Sequence, residues 1–460
     1  MNHKHHKYFK VITAICIVAI LTSCAFSEGL RRKRENSKAN FSKEEITAYQ
    51  NYVKTILSNG SKEFFGSFAL DEDFLSFIVE DYGLDALEKV SKTTDYSSPS
   101  IWYDATGCTI KSLYYSYLKE RNINKADGKK LFHQKSKNAE TILEFTGDIN
   151  FADDIWTMDY LKKKGGDFAS CFSQDLLSEM RSADILSVNN EFCYSTRGEA
   201  LKGKDYTFRS NPKNASLFKS IGVDFVNVAN NHVYDFGAEA LVDTLDTLDS
   251  YSIQYVGAGR NLDEAMKPLY YNINGRLIAF VSATQIERSY NYTKEATVDS
   301  PGVLKTLNSE KYVKVIRSAR ANADIVIAIV HWGTEGNPHY ASDQVELAND
   351  FVNAGADAII GCHSHCLQGV SYIGKVPVYY SLGNFWFSLD EEMPETYKTG
   401  IAKLKIGRDG KIAPYFVPCE FNTGSMKKIT DKTEYAASLE YLQSLSQGAR
   451  LTEDGQIVAR

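Results

Sequence analysis

From residue 139 onward, short apolar runs rich in Val, Ile and Phe alternate with stretches of helical periodicity. Short apolar runs bounded by polar turns are typical of buried strands. Their alternation with helices predicts an α/β domain over residues 139–390, a layered sandwich with a β-core flanked by helices. The predicted strands are 141–145, 185–188, 225–228, 253–256, 277–281, 325–330, 358–360 and 376–380.

Residues 41–135 show a helical pattern without strands. Positions 42–45 match a capping box, and 71–90 predicts two short helices. The Ser/Pro stretch at 97–100 is predicted to break the helical run, which resumes at 110–118. We therefore predict an N-terminal helical domain, whose role the sequence does not indicate.

The C-terminal segment, residues 391–460, returns to strand periodicity before a last helical stretch. Apolar runs at 401–406 and 412–417 predict two strands, and a helix is expected near 435–445. These elements are expected to complete the α/β domain.

The N-terminus has the pattern of an export signal. Lysines precede an apolar run at 11–21, which is shorter than the ~20 residues of a membrane-spanning helix. The run ends in Leu21-Thr22-Ser23-Cys24, which resembles the bacterial lipobox. We predict that residues 1–23 are a lipoprotein signal peptide and that Cys24 is lipidated. The alternative is an ordinary secretory signal that contains a cysteine.

A basic polar linker, residues 24–40, follows the predicted lipidation site. Its cluster at 31–34 would lie close to anionic headgroups beside a lipid anchor. The alternative is a solvated linker. The expected location is the extracellular face of the bacterial cytoplasmic membrane, with the membrane as a partner through the anchor.

Composition and net charge restrict the classes of partner that this chain can have. The chain has 460 residues, 43% of them hydrophobic and 24% charged, which is ordinary for a globular protein. A formal net charge of −6 without a long basic stripe argues against a nucleic-acid partner. Six cysteines would remain after export, and their pairing, including a bond between Cys171 and Cys193, stays open.

Polar side chains follow five of the predicted strands, where ligands of open α/β sheets bind. Carboxylates, an Asn amide and imidazoles together form a mixed oxygen and nitrogen set. Such a set suits Mn, Fe or Zn rather than a Cys-rich structural zinc site. We therefore expect one or two divalent ions at this edge. The side chains are Asp148, Glu191, Asn231, His232, His331, His363 and His365.

The order of these motifs resembles the calcineurin-like metallophosphoesterases and, among them, the CapA (PgsA-like) family of capsule and poly-γ-glutamate synthesis proteins. The resemblance covers about 142–387 and is most specific at 228–237, 331–335, 355–365 and 380–385. It implies a metallophosphoesterase-like sandwich. It also implies metal-ligand roles for Asp148, Asn231, His331, His363 and His365, with Glu191 as a further, bridging ligand.

The resemblance further implies that His232 is the general acid or a phosphoryl-oxygen contact, oriented by Asp235. On a helix starting after His232, the two side chains would share a face. The carboxylate is expected to raise the pKa of His232.

The chain departs from the broader pattern at several of these positions. Asn150 stands where phosphoesterases of this fold have His, and Glu191 replaces an Asp. Both differences resemble the CapA pattern and leave the number of ions open. Cys362 and Cys366 flank His363 and His365 where His and an aliphatic residue are expected.

Four residues are weaker candidates for binding substrate. Arg197, Lys202 and Arg209 follow the Glu191 strand and would receive an anionic substrate, although charged loop residues are usually only solvated. Trp332 would line the pocket or, alternatively, belong to the core.

These observations predict a membrane-anchored protein that acts in synthesis, export or processing of an anionic capsule polymer, with poly-γ-glutamate as the leading candidate. As a metal-dependent hydrolase, the chain would cleave a phosphoester or amide while His232 protonates the leaving group. As a non-catalytic assembly subunit, it would hold the polymer beside polymer-synthase membrane subunits. A phosphoesterase acting on an extracellular nucleotide or phosphosugar is the third hypothesis.

Overall fold

The computed structural model describes residues 42–59, 70–93, 95–96, 98–121, 130–134, 136–289, 291–388 and 394–460. Cys24 and the basic cluster at 31–34 lie outside these residues. The chain divides into two compact units, residues 1–126 and 127–460. Within the described ranges, no helix combines the length and apolar character needed to cross a membrane.

The first unit is helical in its described part. Its helix α1 begins with a capping box, in which the amide of Glu45 donates to Ser42 Oγ (3.1 Å) and the amide of Ser42 donates to Glu45 Oε2 (2.6 Å). The helices are α1 (Lys43–Asn59), α2 (Glu72–Tyr82), α3 (Leu84–Ser91), α4 (Pro99–Thr106) and α5 (Ile110–Glu120).

Helix α4 corrects one prediction from the sequence. The helical run is interrupted between Ser91 and Pro99, but it resumes at Pro99 and not at 110, in a helix that ends at Thr106. The first helical turn suits proline, because its fixed φ is helical and its missing N–H would lack a partner there.

The second unit contains two large sheets and eight α-helices within the described residues. Its strands are β1 (Lys130–His133), β2 (Thr141–Ile149), β3 (Ile185–Asn190), β4 (Cys193–Tyr194), β5 (Arg209–Ser210), β6 (Phe225–Asn227), β7 (Gln254–Val256), β8 (Ala258–Gly259), β9 (Leu269–Ile273), β10 (Arg276–Thr284), β11 (Gly302–Val303), β12 (Ile325–His331), β13 (Ala358–Cys362), β14 (Val370–Ile373), β15 (Val376–Tyr379), β16 (Asn384–Trp386), β17 (Lys398–Ile406), β18 (Ile412–Asn422), β19 (Ser425–Lys428), β20 (Ala449–Leu451) and β21 (Ile457–Ala459). Its helices are α6 (Trp156–Lys163), α7 (Gln174–Ser182), α8 (Ser216–Ile221), α9 (Gly237–Ser250), α10 (Leu262–Ala265), α11 (Glu310–Asn322), α12 (Ser342–Ala354) and α13 (Lys432–Leu445).

The two large sheets form a sandwich. The first has the order β19-β18-β17-β2-β3-β6-β7, with β16 also paired to β2, and the second has the order β1-β9-β10-β12-β13-β15-β14. A shared core joins them. In it the ring of Phe280 on the second sheet lies 4.8 Å from Phe225 and 6.2 Å from Phe145 on the first.

The opposite face of the first sheet packs against helices. Leu186 and Val188 on β3 belong to a second core with Leu241 and Leu245 of α9, so successive strand residues face the two layers alternately. The observed architecture is therefore the predicted α/β sandwich, with a β-core and flanking helices.

Every strand predicted from 139 to 390 is present, and so are the C-terminal strands and helix. The structure adds strands that the pattern did not indicate, among them β1, β9 and β14. Strand β1 lies inside the stretch 41–135 assigned to the helical domain, yet it pairs with β9 of the second sheet. The sheet therefore begins earlier in the chain than the pattern predicts.

The strand directions determine where the polar motifs meet. Strands β16, β2, β3, β6 and β7 run parallel in the first sheet, and β10, β12, β13 and β15 run parallel in the second. Asp148 on β2 is in register with Asn189 on β3 and with Asn384 on β16. His331 on β12 is in register with Cys362 on β13. Asp148, Asn189, His331 and Cys362 lie at or next to the carboxyl ends of their strands, whereas Asn384 begins β16.

Candidate metal centre

Two carboxylates are fully buried at the carboxyl ends of the first sheet. Asp148 and Glu191 have no exposed surface. Asn189, between them, donates its amide hydrogens to Asp148 Oδ1 (2.7 Å) and to Glu191 Oε2 (3.2 Å). One oxygen of each carboxylate is thereby fixed, and the other is left facing the imidazoles.

Three imidazoles approach these carboxylates from the second sheet. His331 Nε2 lies 3.3 Å from Glu191 Oε1, and His365 Nδ1 lies 3.4 Å from Asp148 Oδ2. The rings of His331 and His363 are 4.6 Å apart. His363 and His365 both have left-handed backbone conformations, with φ of 103° and 57°. Such conformations are uncommon outside glycine and often occur at functional sites.

The ligand atoms form two overlapping groups whose members lie within 4.8 Å of one another. One group contains Glu191, His331 and His363, and the other contains Asp148, Glu191 and His365. Glu191 is common to both, which is the placement a bridging carboxylate requires. Asn231 Oδ1 lies 2.7 Å from His331 Nε2, so the amide oxygen adjoins the first group. All six predicted ligands are thus brought together.

Buried polar atoms without hydrogen-bond partners indicate that these residues fit a divalent ion. Asp148 Oδ2, Glu191 Oε1 and His363 Nδ1 are buried, and each lacks a hydrogen-bond partner among the described residues. Buried polar atoms are rarely left in this state, because their desolvation costs about 1–3 kcal/mol each. Carboxylate oxygens and imidazole nitrogens are the ligands that Mn, Fe and Zn accept.

The protonation of the site also suits a cation. Burial lowers the pKa of His331 to about 3 and that of His363 well below its ordinary value, so both rings are neutral. Burial and the neighbouring Asp148 raise the pKa of Glu191. Burial opposes ionisation of Asp148, yet the contacts with His365 and His331 lower its pKa. A cation bound beside Asp148 and Glu191 would favour ionisation of both carboxylates.

His232 and Asp235 form the predicted pair, with His232 Nδ1 2.7 Å from Asp235 Oδ2. They meet in a turn before α9, which begins only at Gly237, and not on a helix. The prediction for the pKa was wrong. Burial outweighs the carboxylate and lowers the pKa of His232, so the ring is neutral in the free chain.

Lys204 is a residue of this site that the sequence did not single out. Its ammonium group lies 2.6 Å from Asp235 Oδ1 and 2.9 Å from Glu287 Oε1, and it donates to the backbone carbonyl of Asn231. Only 8% of the side chain is exposed. Lys204 therefore connects the His232–Asp235 pair with the backbone of a candidate ligand.

Asn189 and Asn384 also hold the site together. Asn189 connects both carboxylates, as described above, and Asn384 Oδ1 lies 2.8 Å from His365 Nδ1. Asn189 belongs to the Asn189-x-Glu191 motif at the end of β3, where the strand-end position was the available signal, as it was for Asp148. Asn384 begins β16, so the available signal for it was the resemblance at 380–385.

The departures from the broader pattern have structural counterparts. Asn150 is buried, and its Oδ1 accepts from the amide of Ala152 (2.8 Å), which makes it a turn residue beside Asp148. Cys362 lies 3.3 Å from His331 Nδ1 and forms a further candidate ligand group with His331 and Asp148. Cys366 is buried in the loop that follows.

The cysteines of the described residues form no disulfide. Cys171 and Cys193, for which a bond was left open, form no bond with each other, and the thiols of Cys362 and Cys419 are also free.

The weaker substrate-binding candidates have other partners. Arg197 binds Asp243 through two nitrogens, with Nε 3.1 Å from Oδ2. Arg209 lies over the ring of Phe236 at 4.1 Å and donates to the carbonyl of Gly198 (3.2 Å). Among the described residues, neither arginine contacts a predicted ligand. Arg197 connects the loop between β4 and β5 to α9, and Arg209 donates to a carbonyl of that loop.

Trp332 belongs to the core and not to a pocket wall. It is fully buried, donates from Nε1 to the carbonyl of Tyr380 (2.8 Å) and stacks on the rings of Phe351 and Tyr380. The core alternative for this residue is therefore the one observed.

Comparison with known proteins gives a family match over the same region. A family model described as "Bacterial capsule synthesis protein PGA_cap" matches residues 142–389. "Capsule biosynthesis protein CapA" of Bacillus anthracis is 33% identical over 216 residues, 46% of this chain and 51% of that protein. "PGA biosynthesis protein CapA" of Bacillus subtilis (strain 168) is 27% identical over 316 residues, 67% of this chain and 80% of that protein. The chain thus spans about half the length of the first of these relatives.

Solved structures show only distant likeness. The 5'-nucleotidase from Candida albicans SC5314 has 11% identity and a TM-score of 0.35, with 64% of this chain and 54% of that chain covered. A dimetal phosphatase from Danio rerio has 9% identity and a TM-score of 0.29, with 64% of this chain and 99% of that chain covered. TM-scores of this size carry no conclusion about function.

Proposed function

The chain belongs to the PGA_cap family of bacterial capsule synthesis proteins, and we propose that it is a membrane-anchored, metal-dependent hydrolase that acts in synthesis, export or processing of an anionic capsule polymer. Poly-γ-glutamate is the leading candidate, because the Bacillus subtilis relative is described as a PGA biosynthesis protein. The match covers about half of the Bacillus anthracis relative, so activity and substrate are part of the proposal.

One observation carries the catalytic part of the proposal. The orphaned oxygens of Asp148 and Glu191 face the imidazoles of His331, His363 and His365 in a buried cluster. When bound there, a divalent ion would lower the pKa of a water molecule and polarise a phosphoryl or carbonyl oxygen. The carboxylates would supply the negative charge that holds the cation, and the neutral rings would supply nitrogen ligands.

His232 is the residue we propose for proton transfer. Its Nδ1–H donates to Asp235, which fixes the ring and leaves Nε2 as the atom that exchanges a proton with substrate. In the free chain the ring is neutral, since burial lowers its pKa. An anionic group beside the ring would raise that pKa, so binding of a phosphoester or polyglutamate would prepare His232 to donate a proton.

A hydrolysis screen tests the catalytic proposal. The purified full chain, loaded with Mn, Fe or Zn, would be assayed on a phosphodiester and on poly-γ-glutamate, with and without a chelator. Asp148→Ala and His363→Ala should lose turnover while remaining folded by circular dichroism. Arg197→Ala serves as the control, because Arg197 binds Asp243 and not a residue of the cluster. Full activity of both cluster variants would refute a catalytic role for the cluster.

The assembly-subunit alternative shares the same cluster. In this version the bound cation holds polymer carboxylates beside polymer-synthase membrane subunits, without hydrolysis. A metal-loaded chain that binds poly-γ-glutamate but turns over neither substrate would favour it. Turnover of a nucleotide or phosphosugar, without any effect on polymer, would instead favour an extracellular phosphoesterase.

Membrane anchoring is proposed from the Leu21-Thr22-Ser23-Cys24 motif alone. Cells expressing the full chain would be labelled with a fatty acid and fractionated. Label on the wild-type chain, lost together with membrane association in Cys24→Ala, is the expected result. Wild-type chain without label would refute lipidation.

A further inference from the structure

The thiol of Cys362 lies at the Nδ1 edge of the His331 ring, where its sulfur is also within 4.8 Å of a carboxylate oxygen of Asp148, whereas Nε2 faces Asn231 and Glu191. His331 Nε2 is 2.7 Å from Asn231 Oδ1 and 3.3 Å from Glu191 Oε1, whereas Nδ1 is 3.3 Å from Cys362 Sγ. The contact follows from the sheet, since His331 and Cys362 are paired across the parallel strands β12 and β13. Both residues are buried.

The hydrogen-bond network indicates which atom of this pair carries the hydrogen. A ring that binds a metal through Nε2 carries its hydrogen on Nδ1. The Asn189 amide nitrogen is 3.4 Å from Nδ1, but it is a donor whose hydrogens go to Asp148 and Glu191. Its orientation is fixed because its oxygen accepts from Asn227 Nδ2 (2.9 Å).

The sulfur is therefore the acceptor available to Nδ1 among the described residues. The thiol hydrogen of Cys362 points to the carbonyl of Val330, 3.7 Å from Sγ. Asn227 Nδ2 donates to the sulfur at 3.9 Å, and a second lone pair remains for the ring. Sulfur is a weak acceptor compared with the carboxylates and carbonyls that usually support metal-binding histidines.

We propose that Cys362 is a positioning residue for the metal centre: its sulfur accepts the Nδ1 hydrogen of His331 and holds the ring with Nε2 directed at the ion. The role rests on the metal site of the proposed function. As a neutral and weak acceptor, the thiol keeps His331 oriented without making the ring as basic as a carboxylate partner would. Cys362 is not itself a ligand in this arrangement.

Metal affinity tests this role without any need for turnover. The dissociation constant of Zn²⁺ would be measured by competition with a chelating dye for the full chain. Loss of an outer partner typically weakens metal binding about 10–100-fold, which is the expectation for Cys362→Ala. Cys362→Ser keeps a smaller acceptor and should show a smaller loss, which also guards against misfolding of the alanine variant.

Cys419→Ala is the matched control. It removes another buried thiol, on β18, whose sulfur contacts the carbonyl of Val417 (3.5 Å). Its affinity for Zn²⁺ should stay within about twofold of wild type, well below the 10–100-fold effect of a lost outer partner. Thermal unfolding of all variants would separate a loss of affinity from a loss of fold.

Cobalt substitution separates a positioning residue from a ligand. Direct thiolate ligation gives Co²⁺ proteins an intense sulfur-to-metal absorption band in the near ultraviolet, and the wild-type chain should lack it. The band, or unchanged Zn²⁺ affinity in Cys362→Ala, would overturn this role alone. A wild-type chain that binds no metal would overturn the metal site and this role with it.

Discussion

Among single residues, Lys204 adds to the effect of burial, since its positive charge also lowers the pKa of His232. Its buried ammonium group has three acceptors, Asp235, Glu287 and the carbonyl of Asn231. Asp235 also accepts from the amide of Phe208 (2.7 Å), so its charge is well compensated. This compensation is one reason why the carboxylate does not raise the pKa of His232 above its ordinary value.

Replacement of Lys204 by Met should change both stability and protonation. The buried carboxylate of Asp235 would lose its cation, and such losses cost about 3–5 kcal/mol of unfolding free energy. The pKa of His232 should rise, because a neighbouring positive charge has gone and Asp235 faces the ring alone. Urea denaturation and NMR titration of ¹⁵N-histidine-labelled protein measure the two effects.

Lys202→Met is the control for that experiment, since Lys202 is exposed on the same loop. It should leave both quantities near their wild-type values. If Lys204→Met also left the pKa of His232 and the unfolding free energy unchanged, the proposed coupling would be wrong.

Which side chains lie together could be predicted only in part from the sequence. The three-residue spacing of His232 and Asp235 indicated their contact, because neighbours in a turn stay close whatever the rest of the chain does. Arg197 was assigned to substrate, yet its partner Asp243 is far away in sequence and is brought near only by α9. Lys204 was missed for the same reason, since tertiary packing selects its acceptors.

At the scale of elements, the site depends on a close approach of β2 to the segment before β16. The amide of Asp148 donates to the carbonyl of Gly383 (2.9 Å), and a Cβ on Gly147 would lie 1.8 Å from that oxygen. Only glycine permits this distance. The approach places Asp148 beside Asn384, which holds His365.

Gly147→Ala should therefore force β2 and β16 apart. Overpacking of this kind costs about 1–3 kcal/mol, and displacement of Asp148 should weaken Zn²⁺ binding as well. Gly407→Ala is the control, because the nearest atom to its Cβ belongs to the flexible side chain of Asp409. Denaturation and metal titration of both variants check the prediction. Wild-type stability and affinity in Gly147→Ala would contradict the observed geometry.

A second cluster, away from the metal centre, joins β2, β17, β19 and α7. Glu144 is fully buried 3.0 Å from Lys403 Nζ, and Glu179 contacts both Lys403 and Lys428. Burial raises the pKa of Glu144 to about 8. Burial opposes the effect of the two ammonium groups on Glu179, but they prevail and lower its pKa to about 2.

The two carboxylates should affect stability with opposite dependence on pH. Glu144 binds its proton more tightly in the folded chain, so it reduces stability as pH rises from about 4.5 to about 8. Relative to Glu144→Gln, the wild-type chain should therefore lose roughly 3–5 kcal/mol of unfolding free energy across that window. Denaturant titrations at pH 5 and pH 8 provide the comparison.

Glu179→Gln is the internal control of opposite sign. The pKa of Glu179 is lower in the folded chain, so its contribution is present above pH 4.5 and disappears as pH falls toward about 2. The wild-type advantage over Glu179→Gln should shrink on acidification. If the unfolding free energies of the two variants depended on pH in the same way, the opposite pKa shifts of Glu144 and Glu179 would be wrong.

Elements were easier to predict than their boundaries and partners. Long apolar runs such as 325–330 identified buried strands, because little else gives that pattern in a chain of this composition. Strand β1 was missed because its four residues carry no periodicity, and it forms only by pairing with β9. Pro99 was interpreted as part of a break because proline disfavours a helical conformation of the residue before it, yet the same proline suits the first turn of the helix that it begins.

At the scale of the whole second unit, the sandwich brings two sets of ligands together. The carboxylates come from β2 and the end of β3 in the first sheet, and the imidazoles come from β12 and the loop after β13 in the second. A bound ion would therefore bridge the sheets. Binding to the folded state alone adds stability, about 2.7 kcal/mol at 100 times the dissociation constant.

Metal content is the sharpest test of whether this edge of the sandwich is a metal centre. The full chain and Glu191→Gln would be equilibrated with Mn²⁺, Fe²⁺ or Zn²⁺, desalted and measured by plasma mass spectrometry, with Glu144→Gln as a control for a buried carboxylate elsewhere. We predict near-stoichiometric metal in the wild type and in Glu144→Gln, and its loss in Glu191→Gln. A folded wild-type chain without metal, or Glu191→Gln with undiminished metal, would contradict the account.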